Sequence, residues 1–264
     1  MAVQPRLAST VMLLRDVAGG QGGIEVFMVR RVVQSEFMPD VYVFPGGSVM
    51  PDDRQLEQSM GVDVAVIRSA GDPEGRTMPG SGLRAAAIRE LFEEANVLLA
   101  YRDGQILAVD KEAVPRFATY RQTLYESESS LNAIVQAERL VLAIDHLAYF
   151  AHWITPEMMP KRFDTHFFLA AAPPEQEALY DSLETSEGMW FQPGEVIARF
   201  QHGEMPIAFP TFHQLRDLTV FRSTQEALDA TTARYVPTHQ PILVQAEGGS
   251  YVYLPEDPDN HWRI

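Results

Sequence analysis

The 264-residue sequence predicts an α+β fold, a mixed sheet sandwiched between helices. Two observations carry this. Apolar, β-branched runs of strand length are interspersed with segments of helical periodicity, and the two do not alternate strictly as βαβ units, which argues against a doubly wound sheet. The composition is that of an ordinary globular chain, 46% hydrophobic and 22% charged, and the length suffices to bury a sizeable core.

Taken in order, "RLASTVMLLRD" (6–16) and "IEVFMVRRVV" (24–33) read as strands separated by the turn "GGQGG". "DVYVFPGG" (40–47) is a short apolar segment ending at a Pro-Gly-Gly corner, where glycine permits positive φ and a sharp turn. From Ser48 to Ser81 the pattern gives way to Asp-, Pro-, Gly- and Ser-rich text, a loop of a length uncommon in a compact domain unless it is functional or mobile. Residues 83–100 are helical, and 111–145 are mainly helical, with "VPRFATYRQTLYES" and "SSLNAIVQAERLVLAIDHL" as the best helices. "AYFAHWITP" (148–156), "DTHFFLAAA" (164–172) and "GMWFQ" (188–192) read as strands. "PGEVIARFQHG" and "TFHQLRDLTVF" read as helices, the first with Pro193 near its start and Gly203 just past its end. "ILVQAEGGSYVYL" (242–254) has hairpin character, and "PEDPDNHWRI" reads as a polar tail.

Net charge is −15 at pH 7, so nucleic acid is not an expected partner, although a bound divalent cation can reverse the sign locally for a small anion. Without cysteine the chain has no disulfide, thiolate nucleophile or sulfur-built zinc site. Neither a signal-peptide pattern nor a bilayer-length apolar run is visible, so a cytoplasmic protein without membrane association is expected.

The chemistry concentrates in "RAAAIRELFEEANVLLA" (84–100). Glu90, Glu93 and Glu94 stand at i, i+3 and i+4, so their carboxylates share a helix face, where like charges repel by a few tenths of a kcal/mol per pair. Arg89 and Glu93, at i and i+4, offset part of that. Taken alone, the segment reads either as a solvated acidic face or as a metal cradle. "VFPGG" shifts the balance, because a glycine corner can present a bare carbonyl, and hard cations such as Mg²⁺ take carboxylates, carbonyls, water and phosphate oxygens.

Together these residues resemble the Nudix box, G-x5-E-x7-R-E-U-x-E-E-x-G-U, with U a bulky apolar residue. Gly47 matches the leading Gly and Asp53 the first acid. Arg89 and Glu90 match R-E, Leu91 the first apolar site, Glu93 and Glu94 the E-E pair, and Val97 the last apolar site. Asp53 replaces the usual Glu, and Asn96 replaces the closing Gly, a residue type tolerated at left-handed positions. Thirty-five residues separate Asp53 from Arg89 where the box has seven, an insertion of 28. The interruption, with "HWITPEMMPKRFDTHFFLA" (152–170), is similar to the Nudix branch that includes peroxisomal acyl-CoA diphosphatases, over most of residues 8–220. A CoA signature found upstream of the box in other CoA-cleaving members is not evident in "MVRRVVQSEFMPDVYVFPGG", and "HWRI" is not a peroxisomal address.

The resemblance implies a single Nudix domain over 1–264, an α/β/α sandwich with 48–82 inserted in the box loop and 101–145 as an extra helical block. It implies Mg²⁺ or Mn²⁺ held by Gly47, Glu90, Glu93 and Glu94, with Arg89 orienting the glutamates and Glu90 or a loop carboxylate as base. Glu184 and Glu187 are the candidates for an additional carboxylate. The substrate expected is a nucleoside diphosphate conjugate: CoA or acyl-CoA, cleaved to 3′,5′-ADP and (acyl)phosphopantetheine, or else ADP-ribose or NADH. A non-catalytic nucleotide sensor is the alternative of another class, and the family often forms homodimers. Arg31 and Arg162, with Arg30 and Lys161 nearby, are candidate phosphate contacts. Trp153 is a candidate for base stacking, as is Trp190, while His152 and His166 read as structural histidines.

Overall fold

The computed structural model describes residues 3–19, 22–34, 38–60, 76–77, 80–181, 184–232, 234–246 and 249–263. Strands β1 (Arg6–Asp16) and β2 (Ile24–Arg31) form where expected, and the tip of the "GGQGG" turn lies outside the described residues. Both carry apolar side chains on both faces, as a central strand covered on each side must. They join β8 (Ala148–Ile154), β9 (Phe163–Ala171), β10 (Thr185–Phe191) and the short β11 (Thr238–His239) in one mixed sheet of order β10-β2-β1-β9-β8-β11. β1 runs parallel to β9 and antiparallel to β2. The Pro-Gly-Gly region supplies two small strands, β3 (Tyr42–Val43) beside β2 and β4 (Gly46–Ser48) beside β1.

Helices cover both faces. Val11, Leu13, Phe27 and Val29 point to a core built with the box helix and the helical block. Met12, Leu14, Val26 and Met28 point the other way, to a core built with α5 (Pro193–Gln201), α6 (Phe209–Leu218) and α7 (Thr224–Thr231). The box helix, α2 (Leu83–Ala95), starts after Gly82 and ends at Asn96, whose φ of 59° confirms a left-handed closing position.

Four readings need correction. The stretch expected as loop begins with a helix, α1 (Pro51–Ser59), started by Pro51 and by Asp53 Oδ2 accepting from the Met50 N–H at 2.8 Å; most of the rest, 61–75 with 78 and 79, lies outside the described residues. In the helical block, α3 (Val114–Tyr125) and α4 (Leu131–Glu138) are present, but α4 stops at left-handed Arg139 instead of running on, and residues 141–142 form β7. β7 pairs with β5 (Ala100–Arg102), itself paired with β6 (Gln105–Ile106). The polar tail is a strand, β14 (Asp257–Arg263), which completes a meander with β12 (Ile242–Ala246) and β13 (Gly249–Leu254). Trp262 anchors it, stacking on Phe200 at 4.6 Å and edge-on to Phe209 and Phe212. Finally, Gly46 and Gly47 are not at positive φ. They are strand residues, and what demands glycine is close approach: a Cβ on Gly46 would strike the β1 backbone, and one on Gly47 would fall on the Glu90 carboxyl group. Among the described residues no helix is long and apolar enough to cross a membrane.

Candidate active site

α2 is not a solvated acidic helix. Arg89, Glu90 and Glu94 are each less than a tenth exposed, and the Glu93 side chain is 13% exposed. Their burial follows from position, because α2 lies between the sheet and α1 with Ala85, Ala87, Ile88, Leu91 and Phe92 filling the core.

Arg89 is the organiser. Its Nε donates to Asp53 Oδ1 at 3.0 Å, Nη2 to Asp53 Oδ2 at 3.1 Å and to the Ser48 carbonyl at 2.9 Å, and Nη1 to Glu90 at 2.8 Å and Glu93 at 2.9 Å. Burial works against its charge, but Glu90, Asp53 and Glu93 outweigh it and raise its pKa. Asp53 thus reaches the Arg despite the 35 intervening residues, carried there by α1.

The same helix supplies Glu57, one turn on from Asp53, which the sequence reading missed. Its buried carboxylate accepts the backbone N–H groups of Gly80, Gly82, Arg84 and Ala85 at 2.7–3.0 Å, capping the start of α2. Burial pushes this carboxyl up and the four N–H donors pull it back. An acid pair at i and i+4 in a segment otherwise read as loop was the available signal.

Three carboxylates, Asp53, Glu90 and Glu93, therefore surround one guanidinium, and Glu94 stands beside them on the same helix as Glu90 and Glu93. Glu94 takes a hydrogen bond from the Gly46 N–H at 3.0 Å, and Arg31 is the cation whose charge favours its ionised form. Burial is the largest cause raising the pKa values of Glu90, Glu93 and Glu94, followed for the last two by the charge of Glu90. Glu93 is raised to about 8. A buried anionic cluster with too few cations, beside a glycine that leaves room over Glu90, fits a hard divalent cation with oxygen ligands.

The site opens into a cavity of about 810 Å³. Gly47, Arg89, Glu90, Glu93, Glu94, Arg31, Lys161, Trp153 and Glu184 all line it. Glu184 also acts electrostatically on Glu90 and Glu94, raising both. Glu187 does not line it; its carboxylate accepts the Tyr42 hydroxyl at 2.6 Å. Arg162 is a correction to the sequence reading. It is buried, with Nε on the Thr155 carbonyl at 3.0 Å and Nη1 on the Val3 carbonyl at 2.7 Å, outside the cavity wall, and so ties β1's approach to the β8–β9 turn. Trp190 lies by a second cavity of about 1020 Å³ under an Arg15 guanidinium 4.3 Å from its ring.

His152 and His166 face the opposite side of the sheet. Their rings stack at 4.2 Å; each Nδ1 meets a hydroxyl (Thr238 at 2.8 Å, Tyr149 at 3.0 Å) and each Nε2 faces Asp164 Oδ1, at 2.5 and 3.6 Å. Among the described residues these three form the one His/Asp/Glu group whose ligand atoms all lie within 4.8 Å of one another. Hydroxyl and carboxylate partners satisfy both nitrogens of His152 and Nδ1 of His166.

A family model described as NUDT19 Nudix domain matches residues 54–218, more than half of the chain. The chain belongs to this family. It is a Nudix pyrophosphohydrolase with the Nudix α/β/α sandwich, and Nudix hydrolases use divalent metals. An acyl-coenzyme A diphosphatase NUDT19 from Xenopus laevis is 25% identical over 275 residues, covering 89% of this chain and 72% of that protein. Its Gallus gallus counterpart is 26% identical over 307 residues, covering 96% and 81%. Among solved structures, a Nudix hydrolase from Alicyclobacillus acidocaldarius superposes with a TM-score of 0.70 at 26% identity, covering 86% of this chain and 96% of that one.

Proposed function

We propose that this Nudix enzyme hydrolyses the diphosphate of CoA or acyl-CoA, giving 3′,5′-ADP and (acyl)phosphopantetheine, with Mg²⁺ or Mn²⁺. The observation that carries the reading is the buried cluster of Glu90, Glu93 and Glu94 at the charged end of a cavity whose other walls are largely apolar. The names of the Xenopus and Gallus relatives support the same substrate class. Residues 1–264 act as one unit, in which the 48–82 insertion contributes Asp53 and the 101–145 block contributes Leu124, Tyr125 and Leu131 to the cavity wall.

Glu90, Glu93, Glu94 and the Gly47 carbonyl would hold the cation, which when bound supplies positive charge against the diphosphate and acidifies the attacking water. The remaining work falls to side chains. Arg89 fixes the rotamers of Glu90 and Glu93 through its Nη1, so that their free oxygens stay aimed at the cavity. Arg31 and Lys161, which with Arg89 are the cations of the wall among the described residues, contact phosphate oxygens. Glu184, which lines the cavity with Glu90 and Glu94, is the loop carboxylate that would accept the proton of the attacking water. Arg162 and Glu187 have no part in this scheme, because both are committed elsewhere.

The test is product analysis of CoA, acetyl-CoA, dephospho-CoA, ADP-ribose and NADH with Mg²⁺ or Mn²⁺. The proposal expects 3′,5′-ADP from the two CoA compounds and slower turnover of dephospho-CoA. Faster turnover of ADP-ribose or NADH would keep the fold and chemistry and overturn the substrate.

A further inference from the structure

The cavity has a built-in direction. Ser48, Ala8, Thr165 and Trp153 are lateral neighbours on β4, β1, β9 and β8, and all four line it. They form a straight floor that starts beside Gly47 and ends at Trp153. Three strand spacings make this floor about 14 Å long.

Its two ends differ in chemistry. At the start stand Glu90, Glu93, Glu94 and Arg31. At the end the wall is Trp153, Phe167, Phe209, Leu243 and Val252. Leu243 and Val252 are directly paired across β12 and β13, and Val252 is buried against the α5–α6 core, so the C-terminal meander closes this end. Neighbouring Ile242 and Val244 point outward, 41% and 40% exposed, so Leu243 is the β12 side chain turned inward. The meander (242–263) lies beyond the 54–218 span that matches the family model, so Leu243 and Val252 come from outside that span while Trp153, Phe167 and Phe209 lie within it.

We propose that the far end, closed by Leu243 and Val252 against Trp153 and Phe209, is an acyl-recognition subsite. This rests on the reading of the enzyme as a CoA or acyl-CoA diphosphatase. Of the substrate's two halves, the nucleotide carries a further phosphate, and burying it among these apolar side chains is costly. The pantetheine half is an uncharged chain with two amides. Extended from a diphosphate at the glutamates along about 14 Å of floor, roughly the run of four extended residues, it brings its sulfur and any acyl group to the apolar end. Free CoA leaves that end to water, whereas an acyl chain fills it and gains the transfer free energy of its methylenes.

The experiment compares kcat/KM for free CoA and decanoyl-CoA, with hexanoyl-CoA and palmitoyl-CoA added to read chain-length preference, in wild type, Leu243→Arg and Leu243→Ala, each checked by thermal melting. The decanoyl-to-CoA ratio should fall at least tenfold in Leu243→Arg. In Leu243→Ala, which keeps the β12–β13 pairing, preference should move from shorter to longer acyl chains. Should Leu243→Arg fail to fold, Leu243→Ala carries the test. If both substrates are cleaved and the ratio stays at the wild-type value in the folded variants, as it would if the base occupied this end, the subsite is overturned and the enzyme's assignment survives. If wild type cleaves neither substrate, the CoA reading falls first and takes the subsite with it.

Discussion

Replacing Glu93 by Gln in metal-free protein should stabilise the fold, in a way that depends on pH. Glu93 is mostly buried, and burial together with the charge of Glu90 raises its carboxyl from 4.5 to about 8. The unfolded chain releases this proton near 4.5, and the folded chain keeps it to about 8. Stability therefore falls as pH rises through that window and levels off above it. A shift of this size corresponds to at most about 5 kcal/mol at pH 8 and about 3 kcal/mol at pH 7. Gln removes the cost but weakens the 2.9 Å contact with Arg89, a charged hydrogen bond of roughly 1.5–3 kcal/mol. The net expectation is a gain of about 1–3 kcal/mol at pH 8, and for a domain of this size each kcal/mol moves Tm by roughly 2–4 °C. The assay is thermal melting in chelator between pH 4 and 9. The variant should melt higher than wild type at pH 8, and the gap should close and reverse as pH falls toward 4.5. A variant that melts lower at every pH, or a gap independent of pH, would refute the claim that burial and Glu90 oppose the ionisation of Glu93 in the absence of a counter-charge.

Other expectations follow from the same geometry. Glu57→Gln should destabilise the protein by roughly 2 kcal/mol in denaturant melts, because four backbone N–H groups at the start of α2 lose a charged acceptor. Gly47→Ala should leave a folded protein with little activity, since its Cβ displaces the Glu90 carboxyl group; folding and turnover are read on the same sample. His213, packed among Trp153, Phe209 and Phe212, is held neutral to about pH 4 by burial and then by Arg216. The unfolded chain protonates this group near 6.5, so stability should decline by up to about 3 kcal/mol between pH 6.5 and 4 and level off below. His213→Gln should flatten that limb of the melting profile.

The charged end of the site was legible in the sequence because the box specifies residue types at fixed spacing. Arg89, Glu90, Glu93 and Glu94 needed only helical periodicity to be placed on one face, and Asn96 took the left-handed position that a closing Gly would fill. Asp53 was legible only through the resemblance, since no local rule ties it to an Arg 36 positions away. Glu57 was missed because its partners are backbone N–H groups, which leave no pattern in side-chain identity. The end of α4 was overrun because left-handed Arg139 offers no glycine to announce it. β14 was read as a tail because Trp262 is a single aromatic in a polar run, and its value comes from the phenylalanines of α5 and α6 that tertiary structure brings beneath it. For the same reason the apolar end of the cavity, assembled from β8, β9, α6 and the meander, had no signature along the chain.

The most direct test is the rate of CoA hydrolysis with Mn²⁺ by wild type and by Glu93→Gln, measured as released 3′,5′-ADP. The account predicts cation-dependent turnover by wild type and a loss of about a thousandfold or more in a variant that melts at least as high in chelator at pH 8. Turnover that survives the substitution, or that proceeds equally in chelator, would contradict it.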